Sequence, residues 1–303
     1  MTAWTDFITE QDAEEWLTHW YVLVDDAYQA LERHYGPWRQ RGPAPRFSDS
    51  EVITVGLYLD TVHAGHEALG LAHLRRYLPG LFPRLLPNGQ FNARRRQLGP
   101  IMEQIRQYLT IAWHLIDPAD QERNLDSLPV PVCTFKRSNE NRSWVGQEFY
   151  GVMPSRRAKL YGFRLHVTMT YHYVLDQWLL APASYRDSKV MCATLEGAHD
   201  LAVYADNAFR DPVESQMLER TRQIRVWAPP RSRSTEPWPP AFARWANRIR
   251  RHIETGFSVL ATVFHIEQPG ARSPSGLVAR VASRLLAYTL SLLSAFWFPL
   301  SAT

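Results

Sequence analysis

At Asn124 the chain changes its period, and that change limits the folds open to it more than any other feature. Before it, apolar residues recur at helical spacing; after it, they alternate. Gln11 to His34 carries helical periodicity, and Arg39 to Arg46, with Gly42, Pro43 and Pro45, reads as a loop. Ser48 to Glu51 (SDSE) forms a capping box ahead of the apolar run VITVGLYL. Prolines and glycines from Pro79 to Gly89 interrupt the chain, FNARRR follows at Phe91 to Arg96, and Pro100 to Leu115 reads as a further helix. Residues 1–118 are therefore expected to form an all-helical region, and 119–303 a second, α/β domain closed by a C-terminal helix.

The second part alternates strands and helices. LDSLPVPV, Leu125 to Val132, puts Asp126 in a short apolar run whose two prolines predict that any paired strand ends near Leu128. KLYGFRLHVTMTYHY, from Lys159, alternates around Phe163, Leu165, Val167 and Met169, and with Tyr173 to Ala181 it predicts a hairpin. Arg186 to His199 reads as a helix, Leu201 to Phe209 (LAVYADNAF) as a buried strand ending on Asp206 and Asn207, and Gln223 to Trp227 as another strand. A loop from Ala228 to Pro240, with five prolines and two arginines, leads into FARWANRIRRHIETGFSVLATVF, Phe242 to Phe264. Apolar residues there fall at 242, 246, 249, 253, 257, 260 and 264, the pattern of an amphipathic helix. Arg250 and Arg251 precede Glu254 by four and three residues and share its side of the helix. Two readings of Glu254 stand: an ion pair with those arginines on a solvated face, or a carboxylate at the edge of a core.

Charge is distributed unevenly. Of the 34 basic residues only Lys136, Lys159 and Lys189 are lysines. Met1 to Ser50 carries nine acids and four bases, Arg75 to Pro100 six arginines and no acid, and Ala205 to Arg251 ten arginines and five acids. Two basic segments behind an acidic start point to a polyanionic partner. Cys133 and Cys192 are too few for a zinc cluster or a disulfide framework, which fits a reducing compartment. His63 and His66 have a metal-compatible spacing but no third ligand nearby. The start, MTAWTDFITEQDAEEW, lacks a basic segment followed by an apolar core, so a cytoplasmic location is expected. Gly276 to Phe298 is apolar but holds Arg280, Arg284 and several serines, which favours a packed helix over a membrane span.

Three acids mark the ends of the predicted elements: Asp126, Asp206 and Glu254. Carboxylates gathered at strand ends repel one another unless a hard divalent cation neutralises them, most plausibly Mg²⁺. Two such ions about 3.5–4 Å apart serve both oxygens of an in-line phosphodiester displacement. The context adds to this. DSLPVPV at 126–132, YGFRLHVT at 161–168, ADNAF at 205–209 and RRHIETGFSVL at 250–260 together resemble the DDE transposases of bacterial insertion sequences, most closely the insertion sequence 982 family. FSDSEVITVGLYL at 47–59, LFPRLLPNGQFNARRRQL at 81–98 and LAYTLSLL at 286–293 resemble that family's flanking segments.

The resemblance implies an RNase H-like core, a mixed sheet flanked by helices, behind an N-terminal DNA-binding region. It implies Asp126, Asp206 and Glu254 as catalytic and metal-binding residues, two Mg²⁺ ions (or Mn²⁺), and cleavage and transfer of strands at the inverted-repeat ends of the element. The partner would be double-stranded DNA, bound by at least a homodimer and away from any membrane. Arg94, Arg95, Arg96, Lys159, Arg164, Arg250 and Arg251 are the expected DNA contacts. The chain departs from the family where Asn207, Ala208 and Phe209 replace a D-K-G-Y-like run, and where Arg164 stands for a lysine. A silent DNA-binding descendant and a metal-dependent nuclease without strand transfer are the rival readings. Among lesser residues, His166 shares the polar face of its strand with Arg164, Trp227 and Trp238 read as packing groups, and Asp211 as a helix start.

Overall fold

A computed structural model describes residues 13–39, 42–153, 157–230 and 237–297. Met1 to Asp12 of the acidic start, and Arg231 and Arg233 of the proline-rich loop, lie outside the described residues. The elements in chain order are α1 (Ala13–Tyr35), α2 (Asp49–Val62), α3 (Glu67–Tyr77), α4 (Asn88–Gln97), α5 (Gly99–Ile116), β1 (Glu122–Pro131), β2 (Tyr150–Met153), β3 (Ala158–Met169), β4 (Leu175–Pro182), α6 (Asp187–Thr194), β5 (Ala202–Ala205), α7 (Pro212–Arg222), β6 (Arg225–Trp227), α8 (Pro240–Thr262) and α9 (Pro274–Trp297). They form two compact units, residues 1–111 with 260–303, and residues 112–259.

The first unit is helical throughout its described residues. Its centre is α2, where the predicted capping box is present: Ser48 accepts from the Glu51 N–H while the Glu51 side chain accepts from Ser48. Every residue from Val52 to Asp60 is buried, so α2 is an inner helix enclosed by its neighbours. One of those neighbours is α9, which corrects the expected division of the chain: the last helix belongs with the first helices, not with the sheet. The reason lies in its arginines. Arg284 is fully buried with its Nε 3.7 Å from Asp60, and Arg280 contacts Glu67 at 3.1 Å, so α9 supplies cations that α2 and α3 require. It is the one described helix long and apolar enough to cross a membrane, but 83% of that apolar stretch is buried inside the protein.

The second unit is a mixed six-stranded sheet flanked by helices. β1 is central, antiparallel to β3 and parallel to β5; β6 continues the parallel side, while β2 and β4 both pair antiparallel with β3. The predicted hairpin is therefore present as β3 and β4. β1 does not stop near Leu128; its pairing with β3 runs on to Pro131↔Gly162. The prolines are tolerated because the Val132 N–H donates to the Tyr161 carbonyl, so by alternation the missing N–H groups of Pro129 and Pro131 face the other edge. That edge is no longer covered, since pairing with β5 ends at Leu125↔Ala205. Opposite them, Gly162 has φ +152°, and a Cβ there would sit 2.5 Å from the Val130 carbonyl oxygen, so the position requires glycine.

Helices cover both sheet faces. Leu125, Val203 and Ala205 pack with Met191, Leu195, Phe209 and Leu218 from the α6 and α7 side. On the other face Tyr204 packs with Ala246 and Ile249 of α8, and Trp227, Trp238 and Trp245 close around them. Both tryptophans of the proline-rich connection are thus packing groups, each with its ring centroid 5.0 Å from that of Phe242.

An ion-pair cluster holds the start of this unit. Asp176 on β4 accepts from Arg123 Nε at 2.7 Å and lies 3.3 Å from His114 Nε2. Burial opposes the Asp176 carboxylate, but the His114 hydrogen bond and Arg123 outweigh it and bring its pKa down to about 2. A folded pKa below the unfolded value means stabilisation that is complete above about pH 4 and lost as pH falls toward 2. Asp176→Asn is expected to cost about 2 kcal/mol at pH 7 and almost nothing near pH 2. Urea unfolding of both proteins at the two pH values checks this, and an equal cost at both would remove the ion pair as its cause.

Candidate active site

Asp126 and Asp206 come together because of where two parallel strands part. The register of β1 on β5 runs from Glu122↔Ala202 to Leu125↔Ala205, and the next residue on each strand is an acid. Leu125 and Ala205 point into the layer under α6 and α7, so the two-residue period sends both aspartates to the face that α8 covers. The Ser127 N–H donates to Asp126 Oδ1 at 2.7 Å, and the Ala208 N–H donates to Asp206 Oδ1 at 2.8 Å. Each carboxylate is thereby held by the backbone just beyond it.

Burial pushes the Asp126 carboxyl up to about 7; the Ser127 N–H opposes this, Asp206 adds to it, Arg250 opposes it and Asp187 adds to it. Arg250 reaches this charge through the seating of α8. Ala246 and Ile249 fix the helix on Tyr204, and the next residue lies at the border of the buried face.

Glu254 does not join the pair. It is exposed on α8, and among the described residues no group of three or more His, Cys, Asp or Glu side chains is placed to hold a metal ion. Four residues beyond Arg250 is about 6 Å along the helix and about 40° past a full turn, which swings Glu254 further from the buried stripe. Asp126 and Asp206 are the two expected acids that the structure brings together.

A further acid stands nearby. Asp187, at the start of α6, accepts from Arg164 at 3.3 Å and from Ser127 Oγ at 3.3 Å, and lies 2.8 Å from His166 Nε2. Burial opposes its charge, but His166 and Arg164 hold its carboxyl below the usual carboxylate range. The sequence signal for it was the shared face of Arg164 and His166: two hydrogen-bonding nitrogen side chains at strand period call for an acceptor opposite. Asp211, by contrast, caps α7, accepting from the Val213 and Glu214 N–H groups, which is the expected helix start.

The expected DNA contacts separate. Arg95 is buried, ion-paired to Asp60 and Glu67 and bonded to Ser283, so it is corrected to a core residue. Arg94 is half-buried and bonded to Asp49 and the Phe47 carbonyl, whereas Arg96 is exposed. Arg164 is engaged by Asp187 and the Val152 carbonyl. Lys159 is exposed, its ammonium 5.2 Å from the centre of the Phe135 ring. Arg250 is half-buried and lowers the cost of charge on Asp126, and Arg251 is exposed.

No protein-family model, curated protein or solved structure matches the chain. A hard cation nonetheless fits Asp126 and Asp206. Both are oxygen donors, they adjoin in register, and the charge of Asp126 is opposed by burial and by its acidic neighbours. A cation shared by the two would remove that opposition.

Proposed function

We propose that this chain is a DDE-type transposase with an RNase H-like core, which cleaves and joins DNA at the ends of an insertion sequence. One observation carries the reading: the two aspartates that the resemblance marks as metal ligands stand side by side where the parallel strands β1 and β5 part, with Arg250 acting on Asp126. The central β1, antiparallel on one side and parallel on the other with helices on both faces, supports the fold.

Asp126 and Asp206 would hold Mg²⁺, which would supply Lewis-acid stabilisation to a phosphodiester undergoing displacement. The chain's own groups do the rest. The Ser127 and Ala208 N–H groups fix the carboxylate orientations. Arg250 offers a planar donor fork to the phosphate being transferred. Glu254, one turn further along α8, is proposed as the third acid, and a dimer on DNA follows from the need to join two ends.

The test uses DNA that flanks the reading frame. Purified protein, linear fragments carrying the element's ends, Mg²⁺ and a target plasmid are expected to yield joined products. Cleavage without joining would leave a nuclease. Metal-independent binding with no cleavage would leave a silent DNA-binding protein, the reading that the separate position of Glu254 favours.

A further inference from the structure

The outer face of α8 carries a feature that the carboxylate site does not use. Arg244, Arg248 and Arg251 recur at four- and three-residue intervals, so all three project from one side of the helix over about 10 Å of its length. All are exposed, and among the described residues no carboxylate pairs with any of them. They line an open groove of about 800 Å³ together with His252 of the same helix and Tyr173 from the turn before β4. Tyr171 stands beside these two rings: its ring centroid is 4.3 Å from that of His252, which is 5.6 Å from that of Tyr173, and the rings are tilted by 43° and 42°. Tyr171 is about half exposed. His252 Nδ1 lies 3.2 Å from the Tyr173 hydroxyl, which ties the two rings together. Burial and the neighbouring Arg248 lower the His252 pKa, which favours its uncharged ring.

A row of unpaired guanidinium groups beside a shelf of aromatic rings has the chemistry of a single-stranded nucleic-acid site: cations track the phosphates, and π faces stack bases of any sequence. A duplex offers the phosphates but keeps its bases stacked internally, leaving the shelf idle. We infer that the α8 groove binds single-stranded DNA or RNA, with phosphates along Arg244, Arg248 and Arg251 and bases on Tyr171 and His252. The inference stands on this face alone and does not require the phosphotransfer reading.

The experiment is fluorescence anisotropy with a labelled 20-mer of deoxythymidine, the matching oligouridine and a 20-base-pair duplex, at two salt concentrations and without divalent cation. R244Q/R248Q/R251Q is expected to weaken single-strand binding about 10- to 100-fold and to flatten the logarithmic salt slope by about 2, as three lost phosphate contacts require. R33Q/R142Q/R157Q, which removes the same charge from exposed positions outside both basic segments, is expected to stay within about threefold of the parent. Tyr171→Ala is expected to cost about tenfold on single strands and leave the duplex unchanged. Equal losses from both triple variants, or a Tyr171→Ala protein with unaltered preference for single strands, would overturn the inference. Because no metal is present, these outcomes are independent of whether the protein cuts DNA.

Discussion

Asp126→Ala and Asp206→Ala are each expected to lower Mg²⁺-dependent DNA cleavage by about 10³-fold or more, a barrier increase of roughly 4 kcal/mol. The expectation follows from geometry: the two acids directly follow the last aligned pair of β1 and β5, so each holds a place that no other carboxylate on the same strands can take. Glu254→Ala is expected to lose as much if that residue completes the metal set; retained cleavage would confine the set to the two aspartates. A folding control is built into the site. Because the folded pKa of Asp126 is raised to about 7, its ionisation opposes the fold, so native stability in metal-free protein declines as pH rises from about 4 to 7. Asp126→Asn removes that opposition and is expected to stabilise the metal-free protein at pH 8 by on the order of 2 kcal/mol while abolishing cleavage. Thermal melts with and without Mg²⁺, run beside the cleavage assay, read both effects. A variant at either aspartate that still cuts would remove that residue from the site.

Local patterns were legible in the sequence because they are set by near neighbours. The capping box of α2, the β3–β4 hairpin, the cap at Asp211 and the packing of Trp227 and Trp238 each follow from residues within a few turns of one another. The adjacency of Asp126 and Asp206 was legible only through the resemblance, since register across 80 residues is not written in periodicity. What could not be read was set by distant partners. The prolines of β1 stop no strand, because the edge they face is vacated by β5. Glu254 and Arg250 differ by about 40° in helical phase, and that small angle separates a group acting on the strand ends from one in solvent. Arg95, read as a DNA contact from its arginine run, is a core residue because its acids come from α2 and α3 and its hydroxyl partner from α9. One signal pointed there: Asp60 closes the apolar run VITVGLYL, and an acid on an inner helix demands a cation.

That demand makes Asp60 the position whose loss costs the helical unit most. Asp60 is fully buried, with Arg95 bonded to one oxygen and Arg284 near the other. Glu67 joins the network by accepting from Arg95 and Arg280 at 3.1 Å and from Asn92 at 2.6 Å. Three guanidiniums against two carboxylates leave one positive charge over. Backbone carbonyls meet it: Arg284 donates to His265 at 2.6 Å and Gln268 at 3.1 Å, and Arg280 to Gly65 at 3.2 Å. Burial nevertheless lowers the Arg284 pKa to about 10, a sign that the balance depends on Asp60. Asp60→Ala would leave three mutually repelling guanidiniums with the single acid Glu67, and is expected to cost about 3–5 kcal/mol. Most of the stability of an ordinary domain is of that size, so the variant should unfold at far lower urea or fail to accumulate. Asp60→Asn keeps the shape and isolates the charge, and is expected to cost nearly as much. Equilibrium unfolding followed through the tryptophans of α1 measures it. A cost below about 1 kcal/mol would mean that water reaches Arg95 and Arg284, and that α9 is held to α2 by its apolar face alone.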